Sequence, residues 1–198
     1  CGASWWDGPM ANPEGVADLL TSAPEAILEA ALAASGATLE SWRIDAVHAR
    51  PGAETSVAYD VTAEGERLYL VATTAPIDDA VRERIGAVRL ESEAGAATLW
   101  RHPADPALPG LALASTPDAL ERRLAAVTGR DRPVSALEML VLRPMRRAVL
   151  RATVGSGADA ETWYVKVVRP ARAARLVVRH RLCALAPRAV DLGDGVVL

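Results

Sequence analysis

The chain has 198 residues, 51% of them hydrophobic and 24% charged, with a formal net charge of −3. That length suits one sizeable domain or two small ones with a real buried core, and no apolar run approaches the ~18 residues of a membrane-spanning helix. Two cysteines, Cys1 and Cys183, exclude a disulfide framework, so a reducing, cytoplasmic setting is expected, with no membrane partner.

The charge is unevenly distributed. Residues 1–130 carry 10 basic and 19 acidic side chains, and residues 131–198 carry 12 and 6, so −9 is followed by +6. Such a split suggests two modules, the basic one suited to an anion: phosphate, nucleic acid or the acidic module itself. The basic residues are 21 Arg and a single lysine, Lys166.

Residues 1–10 read as an irregular tail whose Trp5 and Trp6 strap onto a surface. The opening Cys1-Gly2-Ala3-Ser4 would also suit the mature start of a lipoprotein, or an amidase with an N-terminal Cys nucleophile; a plain tail is the simpler reading. Ser22 precedes Glu25 at the capping-box spacing, Pro24 suits a first turn, and Ile27, Leu28, Ala31 and Leu32 share a face before Gly36 ends the helix. From Leu39 to Ala72 the period changes to two, with turns at Pro51-Gly52 and Glu64-Gly65-Glu66, which predicts an antiparallel meander. A short helix over 77–85 follows, then strands over 88–90 and 98–101.

Three prolines between His102 and Gly110 indicate an ordered loop. Thr116-Pro117 opens a helix that reaches Val127, and Gly129 ends it. The segment Gly129 to Pro133, where charge changes sign, is the expected boundary between a cap domain over 11–129 and a second domain over 130–198. Strands then follow at 138–142, 148–154 and 162–168, with Arg143-Pro144-Met145-Arg146 as the first turn and residues 155–159 as a hairpin. A helix over 170–185 and short strands at 189–190 and 196–198 complete the chain. The predicted class is α+β: an antiparallel sheet with covering helices, then a strand-strand-strand-helix-strand unit.

That second unit has the element order of a protein-kinase-like small lobe. Tyr164-Val165-Lys166-Val167-Val168-Arg169-Pro170 resembles the third strand and following helix start of the aminoglycoside phosphotransferase and choline kinase families. Arg143 to Leu150 resembles the first turn and second strand of actinobacterial members, and His180-Arg181-Leu182 their next helix. Asp105 to Leu111 resembles the end of the cap that precedes such a lobe. The resemblance implies an ATP- and Mg²⁺-dependent transfer of phosphate to a hydroxyl of a small molecule such as a sugar or aminoglycoside. It also implies that catalytic and metal-binding residues lie in a large lobe beyond position 198, so no catalytic or metal residue is expected within this chain. The alternative is a non-enzymatic binding or interaction module made of the cap and small lobe alone.

Lys166 is the expected phosphate residue, since nucleotide phosphates need a cation on the third strand of such a lobe. Side chains at i−2 and i+2 share a strand face, which places Tyr164 and Val168 beside it on the adenine side. Met145, Arg146, Arg147 and Val149 complete the nucleotide set. An acidic partner for Lys166 is either Glu138 or missing, because Arg172 to Ala186 contains no acid. Gly155-Ser156-Gly157 precedes a strand rather than a helix, which argues against a phosphate loop. The arginines at 169, 172, 175, 179 and 181 read as a solvated face, or one turned to the large lobe, rather than a nucleic-acid surface, for no aromatic residues interleave them. His180 and Cys183, three apart, and the isolated His48 and His102 do not make a zinc site.

Overall fold

The computed structural model describes residues 13–50 and 53–198, so the expected tail and the Pro51-Gly52 turn lie outside the described residues. The fold is mixed α+β, with two antiparallel sheets and, among the described residues, six α-helices. The chain divides into two compact units, the first ending at Arg101 and the second running from His102 to Leu198.

In the first unit, helices α1 (Pro13–Ser22) and α2 (Glu25–Ala33) precede strands β1 (Leu39–Ala49), β2 (Thr55–Ala63) and β3 (Glu66–Thr73). Helix α3 (Asp79–Ile85) leads to β4 (Val88–Ser92) and β5 (Gly95–Arg101), and the sheet order is β1-β2-β3-β5-β4. Val16 and Leu20 of α1, with Leu28 and Leu32 of α2, bury against Val57, Tyr59, Val61, Leu70 and Leu99 of the sheet. The buried Tyr59 hydroxyl donates to the Leu20 carbonyl at 2.6 Å, tying α1 to the sheet's centre. The β2–β3 hairpin turns at Glu64 and Gly65, whose φ values of 50° and 72° suit the right-handed twist of the paired strands.

Helix α1 was not expected, and its presence changes the role of Ser22. That hydroxyl donates back to the Asp18 carbonyl at 2.6 Å, inside α1, while Pro24 occupies the start of α2 without a side-chain cap. The capping-box spacing was therefore coincidental: a serine in a helix's last turn bonds its own preceding carbonyl instead of the next helix.

The second unit contains α4 (Leu111–Ala114), α5 (Pro117–Thr128), β6 (Val134–Arg143), β7 (Arg147–Val154), β8 (Glu161–Val168), α6 (Pro170–Leu182), β9 (Asp191–Gly193) and β10 (Val196–Val197). Its sheet order is β6-β7-β8-β10-β9, the same order of three, five and four found in the first unit, again with a helix between the third and fourth strands. One face is covered by α4 and α5: Leu111, Leu120 and Leu124 pack with Ala148, Leu150, Val165, Val167 and Val196. The opposite face receives α6, whose Ala173 and Val177 pack with Val168 and Val197.

These contacts relocate the expected boundary. Residues 129–133 join α5 to β6 within one hydrophobic core, and the chain divides at Arg101–His102 instead. The change in charge sign at 130 reflects surface composition, which carries no information about which apolar face α5 covers.

Candidate functional site

Registry across four strands places Lys166. Val141 of β6 is opposite Val149 of β7, Val149 is opposite Lys166 of β8, and Lys166 is opposite Val197 of β10. Directly opposed residues share a face, so the single lysine sits in a row of valines on the α6 side of the sheet. The other β8 face, Val165 and Val167, is buried in the core below α4 and α5. Lys166 is half-buried and makes no hydrogen bond or ion pair among the described residues.

Helix α6 covers only part of this face. Beside it lies a cavity of about 1000 Å³ within the second unit. Its lining includes Val141, Val149, Val197 and Leu176 on the apolar side, with Tyr164, which shares the Lys166 face; Trp163 also borders it, but its side chain packs with the core on the opposite face. The charged lining residues are Arg130, Arg147, Lys166 and Arg188, joined by His180; no Asp or Glu side chain lines it. The His180 Nδ1 lies 3.0 Å from the Pro187 carbonyl; a carbonyl only accepts, so Nδ1 carries the proton and Nε2 is left to act as an acceptor.

Four of the expected nucleotide residues, Arg147, Val149, Tyr164 and Lys166, thus come together around one cavity. Met145 and Arg146 do not line it. Met145 occupies the β6–β7 turn with φ 59°. Its N–H donates to the Asp105 carboxylate at 2.8 Å, and its carbonyl accepts from the Arg169 guanidinium at 2.9 Å. Its place is therefore structural: the turn beside Arg147 is fixed from both sides. Val168 does not line the cavity either, because α6 packs over it.

Asp105 is the residue that sequence reasoning assigned to the cap and that belongs to this unit. It is 3% exposed, and it accepts from the N–H groups of Ala107 (2.8 Å) and Leu108 (3.0 Å) as well as Met145. Burial raises its carboxyl above the ordinary value, while those three N–H donors and the Arg169 charge hold it down. The signal was present as Asp-Pro-Ala-Leu, an Asx-type turn in which the side chain bonds the N–H groups two and three residues on.

Glu138, one of the candidate partners of Lys166, is instead ion-paired to Arg151, the residue opposite it on β7. Glu161, at the other end of β8, pairs with Arg132 at 3.0 Å. The α6 positions over the cavity are Leu176 and His180, and beyond Val197 in the same row stands Asp191 of β9, which accepts from the Gly193 N–H; Lys166 forms no ion pair among the described residues. The arginines 172, 175, 179 and 181 are exposed, as expected for a solvated face.

Phosphate groups fit this donor set; a divalent metal does not. Among the described residues no three His, Cys, Asp or Glu side chains converge, and the cavity lining offers one imidazole and no carboxylate. No helix of the described residues is long and apolar enough to cross a membrane. Comparison of the chain with protein-family models, with characterised protein sequences and with solved structures gives no match.

Proposed function

We propose that the second unit is a nucleotide-binding, kinase-like small lobe, and that the chain is the N-terminal part of an ATP-dependent phosphotransferase acting on a small-molecule hydroxyl. The observation that carries this reading is Lys166: the single lysine, unpaired, centred in a row of valines at a cavity that several cations and no carboxylate line. Desolvating a lone ammonium on an apolar face costs stability unless an anion joins it. The strand order with its helix between the third and fourth strands supports the same reading, because it puts the lysine strand in the middle of the sheet. Tyr164 offers a ring for a base to stack on, while Arg147 and Lys166 take phosphates as a bidentate fork and a point charge.

The described residues contain no candidate base for the acceptor hydroxyl in this cavity and no ligand set for Mg²⁺. In a phosphotransferase the metal neutralises charge on the transferred group; its ligands and the base would come from outside this lobe. ATP consumption by the chain, tested with a panel of sugars and aminoglycosides, should therefore stay at background.

One observation favours the alternative of a binding module without catalysis. Helix α6 contains no acidic residue, so the lysine–glutamate pair by which kinases organise this strand cannot form with α6. The phosphotransferase reading requires nucleotide binding; an interaction module does not. Amide chemical-shift mapping with ATP tests it: saturable shifts are expected at Val149, Tyr164, Lys166 and Val197. Shifts elsewhere, or none at millimolar ATP, would sink the phosphotransferase reading and leave the interaction module.

A further inference from the structure

We propose that this cavity, as the second unit alone presents it, binds the polyphosphate of its nucleotide in the metal-free form, with Arg147, Lys166 and Arg188 supplying the positive charge. The inference rests on the nucleotide reading above and adds the ionic form of the ligand.

Charge balance is the first argument. A metal-free nucleoside triphosphate carries roughly −2 on its terminal phosphate and about −1 on each inner one near neutral pH. Arg147, Lys166 and Arg188 line the cavity, with Arg130 at its other end, and no carboxylate lines it. Arg147, Lys166 and Arg188 form no ion pair among the described residues, so none must surrender a partner before meeting phosphate. Arg130 lies in the field of Glu161, which is itself paired with Arg132.

A divalent ion would meet few ligands there. A magnesium site uses carboxylate and water oxygens in near-octahedral geometry, usually with one or two protein carboxylates. Of the acids on this sheet, Glu138 is spent on Arg151 and Glu161 on Arg132, while Asp191, opposite Val197 on β9, accepts from the Gly193 N–H and does not line the cavity. His180 donates Nδ1–H to the Pro187 carbonyl and has only Nε2 left to turn to a metal, which is not a ligand set. A metal carried in on the phosphates would face like charges on several sides and be repelled. It would also cancel the ligand charge that these cations are placed to receive. The same apolar, cation-lined wall that disfavours the metal complex favours the free anion, because desolvation strengthens each remaining charge-assisted bond.

The test is isothermal titration of the purified 198-residue chain with ATP and, as a base-free arm, inorganic triphosphate, each in EDTA and in excess Mg²⁺. Binding is expected in EDTA, with Mg²⁺ weakening it about threefold or more. Equal or tighter binding in Mg²⁺ overturns the metal-free inference and leaves the nucleotide reading standing. No binding in either buffer overturns both. If triphosphate binds in EDTA and ATP binds no tighter, the metal-free inference stands and the assignment of a base subsite fails. Arg147→Ala and Lys166→Ala should each lower the metal-free affinity about tenfold, equivalent to about 1.4 kcal/mol, with melting curves confirming that both variants fold. Variants that fold and bind like wild type would place the anion elsewhere and overturn the proposal.

Discussion

Asp105 gives the sharpest test of how the site is held. Replacing it with alanine strands three N–H donors at once: Ala107, Leu108 and Met145. An orphaned buried donor costs about 1–3 kcal/mol. The low end applies here, because the Ala107 and Met145 bonds are only partly buried and water can reach them. About 3 kcal/mol is therefore lost, offset in part because removing the carboxylate also removes the cost of burying its charge. A net loss of about 2–3 kcal/mol corresponds to a fall in Tm of about 5–10 °C for a chain of this size. Asp105→Asn should lie between: its carbonyl oxygen can keep the Ala107 and Leu108 bonds, while its amide confronts the Met145 N–H with a second donor. The pH dependence has a definite sign. Burial raises the folded carboxyl above its ordinary value near 3.8, so the stability linked to its protonation is present at low pH and is lost as pH rises through the folded value. The advantage of wild type over Asp105→Asn should thus widen as pH falls from neutral toward about 4. Denaturant melts of the three proteins across that range decide the matter. An Asp105→Ala protein within about 0.5 kcal/mol of wild type would refute the reasoning and with it the claim that Asp105 fixes the turn beside Arg147.

Lys166→Met keeps the length of the side chain and matches its valine neighbours, so stability should stay within about 0.5 kcal/mol of wild type or rise, while the ATP concentration needed to shift the amide spectrum rises about tenfold; a clear loss of stability would mean that the lysine is structural. Gly195 has φ +83°, and a Cβ there would sit 2.0 Å from the Val168 carbonyl oxygen, so Gly195→Ala should cost at least about 2 kcal/mol from left-handed strain and a displaced β10, read by chemical denaturation. Burial holds the His102 imidazole below its ordinary 6.5; because its folded value is depressed, its share of stability is full above about pH 6.5 and is lost as pH falls through the folded value. His102→Gln should flatten the fall in Tm between about pH 6.5 and 5, and an unchanged slope would show that another group causes it.

Much of the fold was legible because period and punctuation agreed. The β1–β3 meander, α3, α5 and the β7–β8 hairpin each combine alternation or a helical face with a Gly, Pro or Asp at the right end; Asp78 accepts from Ala80 and Val81 at the start of α3, and Gly129 closes α5 at φ 69°. Lys166 stood out as a single lysine in an apolar strand. What could not be read depends on other strands. Val141 and Val197 reach Lys166 through registry, and the irregularity between Met139 and Val141 shifts β6's alternation, so the sequence of β6 alone assigns its faces wrongly. The domain boundary failed for a related reason: α5's partner is a face of β7 and β8, at a separation where neither charge nor glycine says anything. Glu138 was a fair candidate for Lys166 by residue type, but its opposite neighbour is Arg151, and in a sheet the residue directly across has first claim.

The repeated strand order shows what makes one sheet a candidate site and the other not. Lys166 is the sixth residue of the eight in β8, and the sixth of the eight in β3 is Val71. Val71 stands opposite Ala58 and Trp100 as Lys166 stands opposite Val149 and Val197. Yet Val71, Ala58 and Trp100 are all buried, at 1%, 1% and 3% exposure, and nothing in that row carries charge. A cation there would lose its hydration with no anion able to reach it, a cost that single-residue changes do not recover. In the second unit the row ends on a face that α6 covers only in part, so Lys166 can keep its charge and still touch a ligand. Strand order therefore supplies a position, and the chemistry follows from whether that position remains open to an ion.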